Sequence, residues 1–324
     1  MRSCCMYFFL IFAFTLFSCD NGGHAGIEYV GEGGQPVPIR VASLTPEVDL
    51  DLSVQPGACA FVLDTGSPVH LADVGHYPLT PGVYRLQMTG LGLLFPNVSF
   101  IFEDFFDNWL PICGLLGANL LVYFDWELDY PASRVTLYPK GFPERDPTDI
   151  QVSFVLAGGG RYRLSTGESV SVGATRHLVY IDVEGRRILA LLDTGASYMV
   201  LKRSVMDSLG MVGRPDHGIT QVVTAYGVVS APLTELRQVS FASAVATLVE
   251  NVYTVIVDDE FLHSLRVETG REVDALVGGA YLSLFRLRFV MKERIIDVHR
   301  KGAIKRFWTP RVNVRLPPPV EVEF

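Results

Sequence analysis

The tripeptide Asp-Thr-Gly occurs twice in this chain, each time directly after an apolar run. The first copy is Asp64-Thr65-Gly66 and the second is Asp193-Thr194-Gly195. At average residue frequencies, roughly 0.1 such tripeptide is expected by chance in a chain of this length. Two copies behind two strand-like segments therefore indicate two matched loops, each of which presents one carboxylate.

Two carboxyl groups on matched loops have a specific chemical use. When they lie about 3 Å apart they cannot both ionise cheaply, so the pair retains one proton and its two titrations separate. Such a pair can activate a water molecule with one carboxylate and protonate a carbonyl with the other acid. We predict that Asp64 and Asp193 form this dyad, with Gly66 and Gly195 allowing the backbone to approach the carboxylates closely.

Further landmarks repeat in the same order after each Asp-Thr-Gly. Gly117 follows the apolar run Leu115-Leu116, and Gly278 follows Leu276-Val277. Between these landmarks, the segment around Asn97 is similar to the segment around Asn251. Three correspondences in one order predict an internal duplication rather than two stray tripeptides.

These motifs resemble those of the aspartic peptidases of the retropepsin-like and pepsin-like clan. The resemblance implies an all-β, bilobal fold with a cleft between two duplicated lobes and a short helix after each apolar-apolar-Gly motif. It implies that the hydroxyls of Thr65 and Thr194 bond across a pseudo-twofold axis and hold the loops rigid. It also implies a peptide or protein substrate, neither metal nor other cofactor, and a monomer, because one chain supplies both lobes.

The residues that follow the two motifs differ. Ser67 follows the first motif, where its hydroxyl could donate to Asp64, whereas Ala196 follows the second and offers no hydroxyl to Asp193. The sequence therefore predicts that Asp64 is the more readily ionised carboxyl and that Asp193 more often holds the proton. Pro68 departs from the usual family pattern at this loop.

The halves also differ in length. Asn97 lies 33 residues after Asp64, whereas Asn251 lies 58 residues after Asp193. The additional residues of the second half include an alternating apolar run centred on Tyr226-Gly227, which predicts a β-hairpin. In the family that this chain resembles, such a hairpin closes over the substrate as a flap. We therefore expect a single flap, carried by the second half and contacting substrate near Tyr226 and Gly227, with the first flap lost or shortened.

The N-terminus predicts an exported protein. Residues 1–18 comprise Arg2 and a nearly continuous apolar stretch that is too short to span a bilayer. The residues that end at Cys19 resemble the bacterial lipobox, which implies a lipidated Cys19, a membrane anchor and a location facing the periplasm or the cell surface. An ordinary signal peptide and a plain hydrophobic leader are the alternatives.

The remaining sequence divides at composition changes. Residues 19–36 are rich in glycine and predict a flexible tether. We assign residues 37–140 to the N-terminal lobe, 141–150 to a linker, 151–310 to the C-terminal lobe and 311–324 to an extended tail. Cys59 and Cys113 remain after export and lipidation, and both a disulfide and two buried thiols are compatible with the sequence.

Composition excludes several other functions. The net charge is −8, and no Lys/Arg cluster is long enough to follow a phosphate backbone, so nucleic acid is not an expected partner. The seven histidines lack the spacing of a zinc site. His70 lies six residues after Asp64 and is expected in the core or along the cleft. The sequence thus predicts an aspartic endopeptidase; the alternative is an inactive peptide-binding or cell-wall-binding lipoprotein that retains the fold.

Overall fold

The computed structural model describes residues 27–104, 112–144, 146, 148–164, 166–210, 212–224 and 227–300. The leader with Cys19, the turn residue Tyr226 and the tail 311–324 lie outside the described residues. Within the part described, no helix has the length and apolar character needed to cross a bilayer.

Short strands dominate both halves of the chain. Their side chains alternate between core and solvent, as in Thr45–Leu52, where Val48, Leu50 and Leu52 are buried. The strands of the first half are β1 (Val37–Pro38), β2 (Arg40–Ala42), β3 (Thr45–Leu52), β4 (Cys59–Asp64), β5 (His70–Asp73), β6 (Gly82–Gly90), β7 (Leu93–Glu103), β8 (Gly114–Gly117), β9 (Asp125–Asp129) and β10 (Arg134–Tyr138).

The second half has more strands. They are β11 (Ile150–Ala157), β12 (Gly160–Arg163), β13 (Ser169–Val172), β14 (Arg176–Val183), β15 (Arg186–Leu192), β16 (Met199–Lys202), β17 (Ile219–Thr224), β18 (Gly227–Phe241), β19 (Val249–Val257), β20 (Ala275–Val277), β21 (Phe285–Val290) and β22 (Ile295–Arg300). The α-helices are short: α1 (Ala118–Leu121), α2 (Arg203–Leu209), α3 (His263–Thr269) and α4 (Gly279–Leu282), joined by 3-10 turns at Val74–His76, Val245–Thr247 and Asp259–Leu262.

Three sheets organise these strands. A seven-stranded sheet has the order β2-β3-β4-β8-β5-β7-β6 and forms the N-terminal lobe. A thirteen-stranded sheet has the order β1-β10-β9-β21-β22-β11-β14-β15-β20-β16-β19-β18-β17, and β12 and β13 form a separate hairpin. The prediction of an all-β chain with two lobes and a short helix after each apolar-apolar-Gly motif is confirmed.

The strand registers place the repeated landmarks at equivalent positions. In the first half, Asp64 lies opposite Gly117 on the parallel strands β4 and β8. In the second half, Leu192 lies opposite Val277 on β15 and β20, so the next pair along is Asp193 and Gly278. Likewise, β5 pairs with β7 and β16 with β19 in the same register, which makes Asn97 and Asn251 counterparts. The duplication extends to the pairing of individual residues.

The two halves join within the large sheet, at its third and fourth strands. Strand β9 of the first half pairs with β21 of the second, with Glu127 opposite Arg288. These two residues are counterparts in the duplication, so their ion pair, at 2.5 Å, lies on the pseudo-twofold axis. Beside it, the rings of Trp126 and Phe289 stack with centroids 3.9 Å apart. Apolar packing and one buried charge pair therefore fix the lobes against each other.

A disulfide joins Cys59 and Cys113, whose Cα atoms are 6.0 Å apart. Of the two alternatives that the sequence left open, a disulfide and two buried thiols, the structure contains the disulfide. Cys59 begins the strand that leads to Asp64, and Cys113 directly precedes the strand that ends at Gly117. The bond therefore fastens the two strands that support the first catalytic loop at the ends remote from that loop.

The halves differ after their first strands. In the second half, β17 and the first residues of β18 form a hairpin with Thr224 opposite Gly227, which we call the C-terminal hairpin. Its turn residues 225 and 226 lie outside the described residues. In the first half, β5 is followed by the short turn Val74–His76 and then by β6, which is the counterpart of β18. The described part of this half contains no strand equivalent to β17.

Candidate active site

The two predicted dyad residues meet at the interface of the lobes. Asp64 ends β4 and Asp193 follows β15, and each carboxyl lies against the glycine of the opposite loop. Each carboxyl also shifts the pKa of the other. Asp64 is 8% exposed and Asp193 is partly buried, so the pair has little contact with bulk water. Two carboxyls in such a place favour a state that retains one proton.

Gly66 and Gly195 are explained by close approach between the two loops. A Cβ on Gly66 would overlap the carboxyl of Asp193, and a Cβ on Gly195 would overlap the carboxyl of Asp64. Neither glycine has a left-handed backbone. Their small size, rather than a sharp turn, is what the dyad requires.

Thr65 and Thr194 form a reciprocal set of four hydrogen bonds. The N–H of Thr65 donates to Oγ1 of Thr194 at 3.0 Å, and the N–H of Thr194 donates to Oγ1 of Thr65 at 3.1 Å. The hydroxyl of Thr65 donates to the carbonyl of Leu192 at 2.8 Å, and that of Thr194 donates to the carbonyl of Leu63 at 2.5 Å. Both threonines are fully buried, so these bonds lock the loops to each other.

The backbone donates two hydrogen bonds to the carboxylate of Asp64 and one to that of Asp193. Oδ1 of Asp64 accepts the N–H groups of Gly66 at 2.7 Å and of Ser67 at 3.0 Å. Oδ1 of Asp193 accepts the N–H of Ala196 at 3.1 Å. Hydrogen bonds to a carboxylate favour its charged form, so these bonds favour the negative charge on Asp64.

Burial raises the pKa of both carboxyls, and the backbone hydrogen bonds make the two pKa values unequal. The pKa of Asp64 is raised by burial, and the N–H groups of Gly66 and Ser67 oppose that rise. Burial and then the charge of Asp64 raise the pKa of Asp193 to about 8. The backbone hydrogen bonds therefore favour the charge on Asp64 and the shared proton on Asp193.

Ser67 acts differently from our expectation. Its hydroxyl donates to the carbonyl of Val69 at 2.7 Å, so the expected hydroxyl bond to Asp64 is wrong. The N–H of Ser67 makes the contact with Asp64 instead. The reason is local: Val69 lies two residues ahead in the same turn, and its carbonyl is the acceptor that the hydroxyl meets.

Arg176 is a member of the site that sequence reasoning missed. Leu178 lies opposite Leu191 on β14 and β15, and two more steps of that register bring Arg176 opposite Asp193. Its guanidinium makes a bidentate ion pair with Glu268, with both contacts at 2.8 Å. The charge of Arg176 lowers the pKa of both dyad carboxyls and so opposes burial. The corresponding position opposite Asp64 is Thr45, by the register of β3 and β4.

Gly158 makes room for this ion pair. A Cβ on Gly158 would lie 2.9 Å from Cγ of Arg176 and 2.9 Å from Oε1 of Glu268. Glu268 lies 92 residues beyond Arg176, on α3. Only the glycine run near residue 158 could have drawn attention to this place in the sequence, and it does not identify the partners.

Two other polar residues lie close to the dyad. His70 is buried, its Nδ1 accepts the N–H of Gly117 at 3.0 Å, and burial lowers its pKa to about 3. His70 is therefore a neutral core residue that supports Gly117, the glycine opposite Asp64. Tyr130 is also buried, and burial followed by the charges of Asp193 and Asp64 raises its pKa, so its hydroxyl stays neutral.

A group of potential metal ligands lies elsewhere, at the linker. Oxygen or nitrogen atoms of Asp146, Asp149 and His299 lie within 4.8 Å of one another. Arg286 donates to both oxygens of Asp149, at 3.0 and 3.1 Å. The guanidinium already balances this carboxylate, so the group is a structural ion cluster.

Comparisons with known proteins agree with this geometry. A family model described as aspartyl protease matches residues 179–280. The aspartic proteinase from Irpex lacteus matches with a TM-score of 0.51 and 11% identity, over 83% of this chain and 97% of that chain. The structure of edgp matches with a TM-score of 0.48 and 11% identity, over 83% of this chain and 95% of that chain.

The fold is thus that of the bilobal, pepsin-like aspartic proteases, as predicted. No curated protein matches the chain. The family model covers the second Asp-Thr-Gly and Gly278, which are landmarks of the C-terminal lobe. Together, the family model and the fold support an aspartic peptidase.

Proposed function

We propose that this chain is an aspartic endopeptidase that hydrolyses peptide bonds with a water activated between Asp64 and Asp193. The observation that supports the proposal most strongly is the pair of adjacent carboxyls on mirrored loops, held by the reciprocal bonds of Thr65 and Thr194. No packing requirement calls for two carboxyls side by side between the lobes, and withdrawing them from water carries a cost.

The first step follows from the unequal carboxyls. Asp64 starts as the anion, since it accepts two backbone N–H bonds, and it takes a proton from the bound water. The water oxygen then attacks the carbonyl carbon of the peptide bond. Asp193, which holds the shared proton, donates that proton to the carbonyl oxygen. The product of this step is a neutral diol, and the proton has moved from Asp193 to Asp64.

The second step returns the dyad to its initial state. Asp64 donates its proton to the amide nitrogen while Asp193 accepts a hydroxyl proton from the diol. The carbon–nitrogen bond breaks, and the products are a carboxylic acid and an amine. No covalent intermediate with the protein forms. In this proposal the C-terminal hairpin closes over the peptide as a flap, with Tyr226 and Gly227 near its tip, and one chain suffices because it contains both aspartates.

We further propose that the protein is exported and anchored to a bacterial membrane by lipid at Cys19, facing the periplasm or the cell surface. The apolar leader and the residues preceding Cys19 support this location. The disulfide between Cys59 and Cys113 also supports it, since such bonds persist in oxidising compartments. Replacing Cys19 by alanine should abolish incorporation of labelled palmitate, whereas replacing Cys4 should leave it intact.

The proposed activity is tested with a mixed peptide library at acidic and neutral pH. The wild-type chain should cleave peptides, and Asp64→Asn and Asp193→Asn should each lose this activity. Asp216→Asn, an exposed aspartate, serves as the matched control. Cleavage that survives either dyad substitution would refute the mechanism. Peptide binding without cleavage by the wild type would favour a non-catalytic binding lipoprotein.

A further inference from the structure

The C-terminal hairpin packs on one face of its own lobe, beside the second catalytic loop. That face consists of residues from β16, β19 and β20 and from the loop that precedes β16. Val222 of β17 and Ala231 of β18 join the same apolar cluster from the hairpin. The face includes Tyr198, Val200, Val255 and Leu276, and Leu233 of β18 extends it by pairing with Val255.

The strand registers identify the same face in the N-terminal lobe. Val69 and Leu71 lie five and seven residues after Asp64, just as Tyr198 and Val200 follow Asp193. Ile101 lies opposite Leu71, as Val255 lies opposite Val200, and Leu115 is the counterpart of Leu276. Val83 of β6 pairs with Ile101, as Leu233 pairs with Val255, and belongs to the same face. Among its described residues, the N-terminal lobe has no counterpart of β17 to cover this face.

A hairpin from the other half of the chain covers this face. Leu164 joins Val69, Leu71 and Ile101 in one buried apolar cluster, and Val170 and Val172 pack against it. Leu164, Val170 and Val172 belong to the hairpin of β12 and β13 (residues 160–172), which we call the crossing hairpin. Leu164 is 8% exposed, although Thr166, Gly167 and Glu168 in the same turn are exposed. Leu164 at the tip, with Val170 and Val172 beside it, therefore attaches the crossing hairpin to the opposite lobe.

The base of the crossing hairpin is rich in glycine. Gly158, Gly159 and Gly160 have φ angles of +80°, +111° and +152°, and Gly173 follows the second strand. A Cβ on Gly160 or Gly173 would meet no atom within 4 Å. Each connection of the hairpin to the C-terminal lobe therefore contains a glycine with a permissive backbone and open space around it.

We propose that the crossing hairpin is a second flap, which opens to admit a peptide and closes so that Leu164 bounds the subsite of the N-terminal lobe. Leu164 then corresponds to Val222 of the C-terminal hairpin, because each packs on the equivalent face of one lobe. The second half of the chain supplies both flaps. This inference rests on the proposed peptidase function for its substrate, whereas opening of the hairpin can be measured without activity.

Thiol labelling tests the opening. Leu71→Cys and Ile101→Cys place a thiol beneath the crossing hairpin in the full-length chain, and Leu50→Cys places one in the core. Mass spectrometry reads the labelling of each position by iodoacetamide in the native state. We expect residues 71 and 101 to react at low urea with little dependence on its concentration, and residue 50 to react only through global unfolding.

Adding Leu164→Ala should accelerate labelling at residues 71 and 101 by at least about tenfold, since a buried leucine stabilises the closed hairpin. Ser171→Ala, on the outward side of β13, should leave the rates unchanged. The proposal is wrong if residues 71 and 101 react as slowly as residue 50 in every background, because the hairpin would then be a fixed part of the fold.

Cleavage specificity tests the subsite. In a random octapeptide library, Leu164→Ala should change the residue preference on one side of the cleaved bond, and Val222→Ala should change it on the other. Relative kcat/KM between large and small apolar residues should shift roughly tenfold. If Leu164→Ala changed the residue preference no more than Ser171→Ala does, the subsite role of Leu164 would be refuted.

The two measurements separate the two proposals. Rapid labelling at residues 71 and 101 with no peptide cleaved by the wild type would refute the peptidase and retain a mobile flap. Cleavage with slow labelling and unchanged specificity would retain the peptidase and refute the second flap.

Discussion

The two catalytic loops have the same backbone plan but different surroundings. Asp64 accepts two N–H bonds and has Thr45 opposite it, whereas Asp193 accepts one and has the buried Arg176 opposite it. The duplication thus conserves the groups that hold the carboxyls in contact, and the differences lie in the groups that set their charge. A symmetric pair needs such differences, because the two carboxyls perform different proton transfers.

The symmetric part of the site should be the most sensitive to substitution. Gly66→Ala and Gly195→Ala each place a methyl group where the opposite carboxyl lies. A displacement of about 1 Å within a reacting pair costs on the order of 100-fold in rate, so we expect losses of at least that size in kcat/KM. Both variants should lose similar activity, since the contacts mirror each other.

Glu250→Gln, an exposed substitution on β19, is the control for these variants. Its kcat/KM should equal that of the wild type. If only one of the two loop glycines proved essential, the mirrored contacts would not be the reason for the motif.

The asymmetric part of the site can be examined through two ion pairs. Arg176 with Glu268 and Arg214 with Glu184 are both bidentate and largely buried. Removing one partner of a buried pair costs about 3–5 kcal/mol, so Arg176→Met and Arg214→Met should lower the free energy of unfolding by similar amounts. Urea denaturation measures both.

Only Arg176→Met should change the pH dependence of cleavage. Its charge lowers the pKa of both dyad carboxyls, so its loss should move both limbs of the kcat/KM profile to higher pH. Glu268→Gln, which leaves the positive charge unbalanced, should move them to lower pH. Equal profiles for Arg176→Met and Arg214→Met would show that Arg176 is merely structural.

Much of this arrangement was predictable because it depends on short-range patterns. Gly66 and Gly195 each lie two residues after an aspartate, and Gly117 and Gly278 each end a short apolar run. The parallel strand registers then place Gly117 opposite Asp64 and Gly278 opposite Asp193. The C-terminal hairpin was equally predictable, because alternating apolar residues surround a turn.

The features that we missed depend on long-range contacts. Glu268 lies 92 residues from Arg176, so nothing local identifies their pairing. The crossing hairpin consists of two four-residue strands, and its buried Leu164 lies in the turn between them and packs on the other lobe. Amphipathic periodicity cannot be recognised in strands this short, and the relevant face exists only after the lobes assemble.

Stability should also reflect the inequality of the carboxyls. The folded-state pKa of Asp193 is about 8, above its unfolded value of 3.8, so its contribution to stability is present below pH 4 and is lost as pH rises toward 8. We expect the wild type to lose stability on the order of a few kcal/mol over this interval, as measured by urea denaturation.

Asp193→Asn, which does not ionise, should lose less stability over the same interval. Glu250→Gln, an exposed substitution on β19, should follow the wild-type curve. A wild-type stability that stayed constant between pH 4 and pH 8 would contradict the buried, proton-holding state of Asp193.

The smallest effect is expected at Ser67. Its hydroxyl donates to the carbonyl of Val69, and the N–H that supports Asp64 belongs to the backbone and survives substitution. Ser67→Ala should therefore leave the lower limb of the kcat/KM profile in place and cost about 1 kcal/mol of stability for the lost bond. A shift of that limb to higher pH would show that the hydroxyl turns toward Asp64 during catalysis, and the inequality of the two loops would then arise from the serine side chain as well as from the backbone.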